Sequence, residues 1–205
     1  IERQILKGIR QKHTGYYWFI GLPGTGKTLL LYDLAMKLSG RQKVCLIHCG
    51  RAGKEWRILH ERLRRIDYLS DEQIHENMDL SEYNGVLIDE AHLLSEENLQ
   101  MILQACGQQP VIFSSDCEDM ISQEELDRNT VKAMRHLPEM QTYHLTNRIR
   151  TNAELSSFIQ HMMHLPKQHY ARNYPHITVF YANDEIEAEN LLCDARRQSR
   201  RPRRA

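Results

Sequence analysis

Eight consecutive residues, Gly21-Leu22-Pro23-Gly24-Thr25-Gly26-Lys27-Thr28, constrain this chain more than any other stretch. They satisfy the pattern G-x-x-x-x-G-K-[ST], and their flanks give the pattern meaning. A short apolar run, "YYWFIG" (16–21), precedes the loop and reads as a buried strand. A helical pattern through Leu30, Leu31, Leu34, Ala35 and Leu38 follows, with Gly40 placed to stop it. A strand that feeds a glycine-rich loop into a helix N-terminus aims backbone N–H groups at one point, where phosphate oxygens can sit. Gly21, Gly24 and Gly26 let the backbone wrap, with Pro23 and Thr25 inside the loop. Lys27 can reach the outer phosphates of ATP, and the Thr28 hydroxyl can hold Mg²⁺.

Alternation of strand and helix signals continues along the chain. Further strands are predicted at 43–49, 84–90, 110–116 and 140–146, and one more at 177–182. Helices are predicted at 54–66, around Leu99–Cys106 with Gly107 as the stop, at 123–137 and at 185–197. Ser70-Asp71-Glu72-Gln73 reads as a capping box opening a short helix, and Thr151 with Glu154 as another. Such alternation implies an α/β, three-layer fold around a mainly parallel sheet, with ligands at the carboxyl ends of the strands.

The strand "NGVLIDE" (84–90) ends in Asp89-Glu90, with Asp89 62 positions after Lys27. This is the place for one carboxylate near Mg²⁺ (Asp89) and a general base toward an attacking water (Glu90). His92 reads as a surface histidine, or else as a group coupling nucleotide state to another surface. Ser114, Ser115 and Asp116 end the following strand, where they could sense a terminal phosphate or simply cap a turn. Gln4, 23 residues before Lys27, could pair with an adenine edge or lie on a surface helix.

Composition adds bounds. With 41% apolar and 26% charged residues the chain can build a sizeable core. No apolar run has the length of a membrane span. Five scattered cysteines without CxxC spacing suggest a reduced, cytoplasmic setting. Residues 196–204 hold six arginines, which leaves 21 basic against 27 acidic residues elsewhere. That tail could bind nucleic acid, or be a disordered end; the acidic body argues against strong nonspecific DNA binding by the chain alone.

Together, "GLPGTGKTLLLYDLA", "KVCLIHCG", "VLIDEAHLL", "FSSD", "LTNRIRTNAELSSFI" and "ITVFYAND" resemble bacterial and phage ATPases related to superfamily-1 DNA/RNA helicases, and are similar to the helicase-like domain of Schlafen proteins. The resemblance spans roughly residues 1–190. It implies a RecA-like ATP-binding domain at 1–165, the start of an incomplete second lobe or extra β-α unit at 166–195, and a basic tail at 196–205. Within it, Arg150 matches the arginine expected near the γ-phosphate, whereas Arg148 matches a variable position. Where the family carries Asp-x-x-Gln, this chain has Asp116-Cys117-Glu118-Asp119, and Leu93 replaces a frequent arginine.

The leading expectation is therefore a P-loop ATPase that hydrolyses slowly and acts with single-stranded DNA or RNA. A partner protein or second lobe would supply an arginine finger, and translocation by these 205 residues alone is not expected. The alternatives are a non-catalytic, ATP-dependent interaction module and, more remotely, a ring-forming AAA+-like ATPase.

Overall fold

The computed structural model describes residues 1–40, 42–50, 63–116, 122, 127, 129–146, 154, 157–158, 175 and 177–199. The chain divides into two compact units, Ile1–Arg150 and Thr151–Ala205.

The first unit is built on a six-stranded sheet. The strands are β1 (Tyr16–Gly21), β2 (Val44–His48), β3 (Ile66–Ser70), β4 (Val86–Asp89), β5 (Val111–Ser115) and β6 (Gln141–Leu145), in the order β3-β2-β4-β5-β1-β6. Every pairing is parallel. All six carboxyl ends therefore lie along one rim of the sheet. β5 separates the two strands that carry the sequence signals, β1 and β4.

The period-two side-chain rule explains the layers. Along β1, Tyr17 and Phe19 join one core and Trp18 and Ile20 the other; along β4, Leu87 and the pair Val86 and Ile88 divide in the same way. Helices α1 (Glu2–Lys12) and α2 (Lys27–Leu38) cover the Tyr17 side through Ile5, Ile9, Leu31 and Leu34. Helices α3 (Glu96–Cys106) and α4 (Thr130–Arg135) cover the Trp18 side through Leu99, Ile102, Val131 and Met134. Burying each such aliphatic side chain contributes ~1.5–3 kcal/mol, so two filled layers hold the rim in place.

Helix boundaries follow local chemistry. Ser95 caps α3 by accepting from the Asn98 N–H at 3.1 Å, and Gly107, at φ 58°, ends it as expected. α2 ends differently from expectation. Its cap is Ser39, whose hydroxyl donates to the Met36 carbonyl at 3.0 Å, and Gly40 does not take the left-handed conformation.

Three sequence expectations need correction or narrowing. The helix expected at 54–66 lies outside the described residues up to 62, and its end is a turn leading into β3. β3 lies at the sheet edge with four of its five residues half-exposed, so it has no unbroken apolar run to announce it. The capping box at Ser70–Gln73 forms, with the Ser70 N–H donating to the Gln73 side chain at 2.9 Å, but it opens a single 3₁₀ turn, Asp71–Gln73. Of the helix predicted at 123–137, Thr130–Arg135 is helical, while 123–126 and 128 lie outside the described residues.

In the second unit, α5 (Glu185–Ser199) starts where Asp184 accepts from the Glu187 N–H at 2.7 Å. The strand predicted at 177–182 is absent: the segment pairs with no strand among the described residues, and Tyr181 is 88% exposed. Apolar composition alone does not make a strand without a ladder partner. The capping box predicted at Thr151 and Glu154 lies outside the described residues at Thr151. No described helix is long and apolar enough to cross a membrane.

Candidate functional site

The loop between β1 and α2 has the backbone its glycines allow. Gly24 and Gly26 take φ values of 81° and 86°, and Gly26 is the residue from which α2 starts. Gly21 is required for a different reason. A Cβ there would lie 2.6 Å from Thr25 Oγ1 and 3.0 Å from the Leu145 carbonyl of β6. Thr25 in turn pins the loop, its N–H and hydroxyl both donating to the Leu22 carbonyl at 3.2 and 2.8 Å.

Lys27 is 6% exposed, and its ammonium donates to the Gly21 carbonyl (3.0 Å), the Leu22 carbonyl (3.3 Å) and Asp116 Oδ1 (2.5 Å). Asp116 follows β5 directly, so the strand order brings it beside a loop that begins on β1. Pro23, Gly24, Gly26, Lys27, Thr28, Glu90 and Asp116 line one cleft of about 410 Å³.

Asp89 is fully buried at the end of β4. Its Oδ1 accepts from the Ser114 hydroxyl at 2.8 Å, whereas Oδ2 is buried without a hydrogen-bond partner. Burial raises the pKa of Asp89, but the polar groups of His48, Ser114 and Thr28 beside it outweigh burial and leave the carboxyl below its usual range. His48 ends β2 in register with Asp89, its Nδ1 3.6 Å from Oδ2. An ionised, buried carboxylate with one uncommitted oxygen, close to the Thr28 hydroxyl, fits a hydrated divalent cation.

Glu90 stands at φ 53°, an uncommon conformation for a residue with a side chain. The kink ends β4 and turns the next residues, Ala91–Leu93, into a 3₁₀ turn. Burial raises the Glu90 pKa, and the charges of Asp89 and Asp116 raise it further. His92 is buried, at 6% exposure, which corrects its expected surface position. The 3₁₀ turn tucks it against β5, where its Nδ1 accepts the Asp116 N–H at 3.4 Å and stands 3.8 Å from Glu90 Oε2.

The structure thus gathers Gly21, Pro23, Gly24, Thr25, Gly26, Lys27, Thr28, Asp89, Glu90 and Asp116 at the carboxyl ends of three adjacent strands. Gln4 does not join them. It is exposed in the first turn of α1, whose neighbour Glu2 is bonded to Lys37 in the last turn of α2. Ten residues of helix separate Lys37 from Lys27, about 15 Å at ~1.5 Å per residue. Arg148, Arg150 and Asp119 lie outside the described residues.

Sequence reasoning missed His48. Its position at the end of a predicted central strand was the available signal. It also offered Ser114 as a phosphate sensor or turn cap; the hydroxyl instead supports Asp89. Ser115 accepts the Trp18 indole N–H at 2.8 Å, tying β5 to β1.

A parallel sheet with a phosphate-type loop on β1 and an Asp-Glu pair at the end of β4 defines a RecA-like P-loop domain of the nucleotide-binding, helicase-like class. The profile of "Schlafen group 3, DNA/RNA helicase domain" matches residues 17–203, and the chain belongs to that family. Among solved structures it is similar to a Pif1 helicase from a study of DNA unwinding at forked double-stranded DNA, at 16% identity and a TM-score of 0.51. That match covers 79% of this chain and 47% of the other. It is also similar to the large terminase of a thermophilic bacteriophage, at 13% identity and a TM-score of 0.51, covering 78% and 48% respectively. The chain spans just under half the length of these two proteins. No curated protein sequence matches it.

Proposed function

We propose that this domain binds ATP with Mg²⁺ in the P-loop cleft and hydrolyses it slowly, in concert with single-stranded nucleic acid or a protein partner. The observation that carries the reading is the convergence of Lys27, Thr28 and Glu90 on one cleft from two non-adjacent strands, with the buried carboxylate of Asp89 beside Thr28. The loop N–H groups and Lys27 would bind the phosphate chain, and Thr28 and Asp89 would hold the cation. When bound, the cation supplies charge neutralisation at the phosphate oxygens. Glu90 would accept a proton from the attacking water. Its raised pKa makes it a stronger base than an ordinary glutamate once ionised.

Arg150 is proposed as the γ-phosphate contact from the junction to a second lobe, of which the second unit would be the beginning. Support comes from β6, which ends in register with Gly21 at the start of the loop. Five residues beyond Leu145 can span ~17 Å of extended chain, so Arg150 is within reach of the cleft. A second arginine from a partner or the remainder of that lobe would be needed for fast turnover.

The test is ATP turnover with and without single-stranded DNA or RNA in wild type, Lys27→Ala and Glu90→Gln. Turnover lost in both variants supports the reading, and equal turnover in all three refutes it. Tight ATP binding with no phosphate release in the presence of either nucleic acid would select the non-catalytic interaction module instead.

A further inference from the structure

We infer that Asp116 is a built-in competitor for the nucleotide's phosphates: its carboxylate holds Lys27 until a phosphate chain displaces it, and this exchange sets nucleotide affinity. The inference rests on the ATP reading above and deepens it.

An ammonium has three donors, and those of Lys27 are all engaged, by Gly21, Leu22 and Asp116. A phosphate oxygen can therefore gain Lys27 only by taking the place of one of them. Two are carbonyls of the loop itself. Asp116 is the one charged acceptor, at the shortest distance, 2.5 Å, and charge-assisted contacts of this kind are roughly twice as strong as neutral ones. Lys27 is 6% exposed, so water cannot readily replace a lost partner.

The surroundings of Asp116 suit an exchanging group. Its backbone is anchored on both sides, the N–H donating to His92 Nδ1 and the carbonyl accepting from the Ser115 hydroxyl at 3.0 Å. Its side chain is 21% exposed and lines the cleft, so the carboxylate can turn toward solvent without disturbing β5. After release it still faces the cleft as a negative charge near the arriving phosphates. Competition for Lys27 and repulsion of phosphate both weaken binding, and the two are separable because only the first requires Lys27.

The experiment is an equilibrium titration of ATP and of inorganic tripolyphosphate against the full chain, as wild type, Asp116→Asn, Lys27→Ala and the double variant. Asp116→Asn should tighten both probes by roughly tenfold or more, the size of one charge-assisted hydrogen bond. In the Lys27→Ala background the same change should give less than about threefold, from repulsion alone. An equal gain in both backgrounds, or no gain on wild-type Lys27, overturns the inference. Should Asp116→Asn fail to fold by circular dichroism, Asp116→Ser must give the same pattern, and its failure to do so is equally fatal. Wild type that binds neither probe overturns the nucleotide reading and this inference together, whereas wild type that binds ATP with no gain in the variants overturns this inference alone.

Discussion

Ser114→Ala isolates the support beneath the buried carboxylate of Asp89. Ser114 and Asp89 are both fully buried, and the hydroxyl donates to Oδ1 at 2.8 Å. The substitution removes the 2.8 Å hydrogen bond to Oδ1 and leaves the carboxylate beside Thr28 and His48, whose Nδ1 stands 3.6 Å from Oδ2. A hydrogen bond to a charged group contributes ~1.5–3 kcal/mol, and burial without rehydration places this one toward the upper end. A loss of about 2–3 kcal/mol is expected in urea denaturation at pH 7, with an unchanged m-value. In a chain of this size it corresponds to a fall in Tm of about 5–10 °C. The pH dependence distinguishes this cause from a packing defect. Asp89's carboxyl lies below its usual range, so its contribution is present above the unfolded value and lost as pH falls through the folded one. Removing Ser114 raises the folded pKa, so the deficit of the variant should shrink toward about pH 4. A deficit below about 0.5 kcal/mol, or one identical at both pH values, would refute the reasoning.

Gly21→Ala should abolish ATP binding and lower Tm, because the added methyl meets Thr25 Oγ1 at 2.6 Å and the Leu145 carbonyl at 3.0 Å; unchanged binding by titration would contradict the packing of β6 against the loop. The acid limb of ATP turnover should fall at a higher pH than an ordinary glutamate would give, since burial and then the neighbouring carboxylates raise Glu90 and the base must be ionised. By the same linkage a raised carboxyl stabilises below its unfolded pKa and loses that contribution as pH rises through the folded one. Glu90→Gln should therefore be more stable than wild type at pH 7 in thermal melts, although inactive. Arg150→Ala should reduce turnover or the preference for ATP over ADP more than Arg148→Ala does, and equal effects in the two variants would remove Arg150 from the site.

Much of the first unit was legible because its signals are local. β1, β2, β4 and β5 are central strands buried on both faces, so each carries an unbroken run of apolar residues within its four to six positions. The loop and the Asp89-Glu90 pair were likewise readable, since phosphate and cation chemistry demand particular residue types at particular spacings. β3 was missed for the converse reason: an edge strand in which Asp67, Tyr68, Leu69 and Ser70 are all half-exposed leaves a mixed pattern. The segment 177–182 shows the opposite error, an apolar run read as a strand although pairing is a property of two segments and not of one.

His92, His48 and Asp116 belong to a third kind, where residue identity is visible but proximity is not. Nothing local says that β5 enters the sheet between β4 and β1. That single choice of strand order puts Asp116 at once beside Lys27 of the loop and His92 of the turn after β4. Had β4 paired directly with β1, Glu90 and Lys27 would be neighbours and Asp116 would lie on the far side of one of them. Insertion of β5 instead puts a carboxylate, carried on the strand between the two signature loops, within reach of both. If the cleft takes a nucleotide as proposed, a group so placed cannot be neutral to its binding. It pairs with Lys27 and would add negative charge to the cleft on Lys27 turning to phosphate. On the proposed reading, the affinity of this domain would be governed as much by the residue after β5 as by the loop that the sequence advertises.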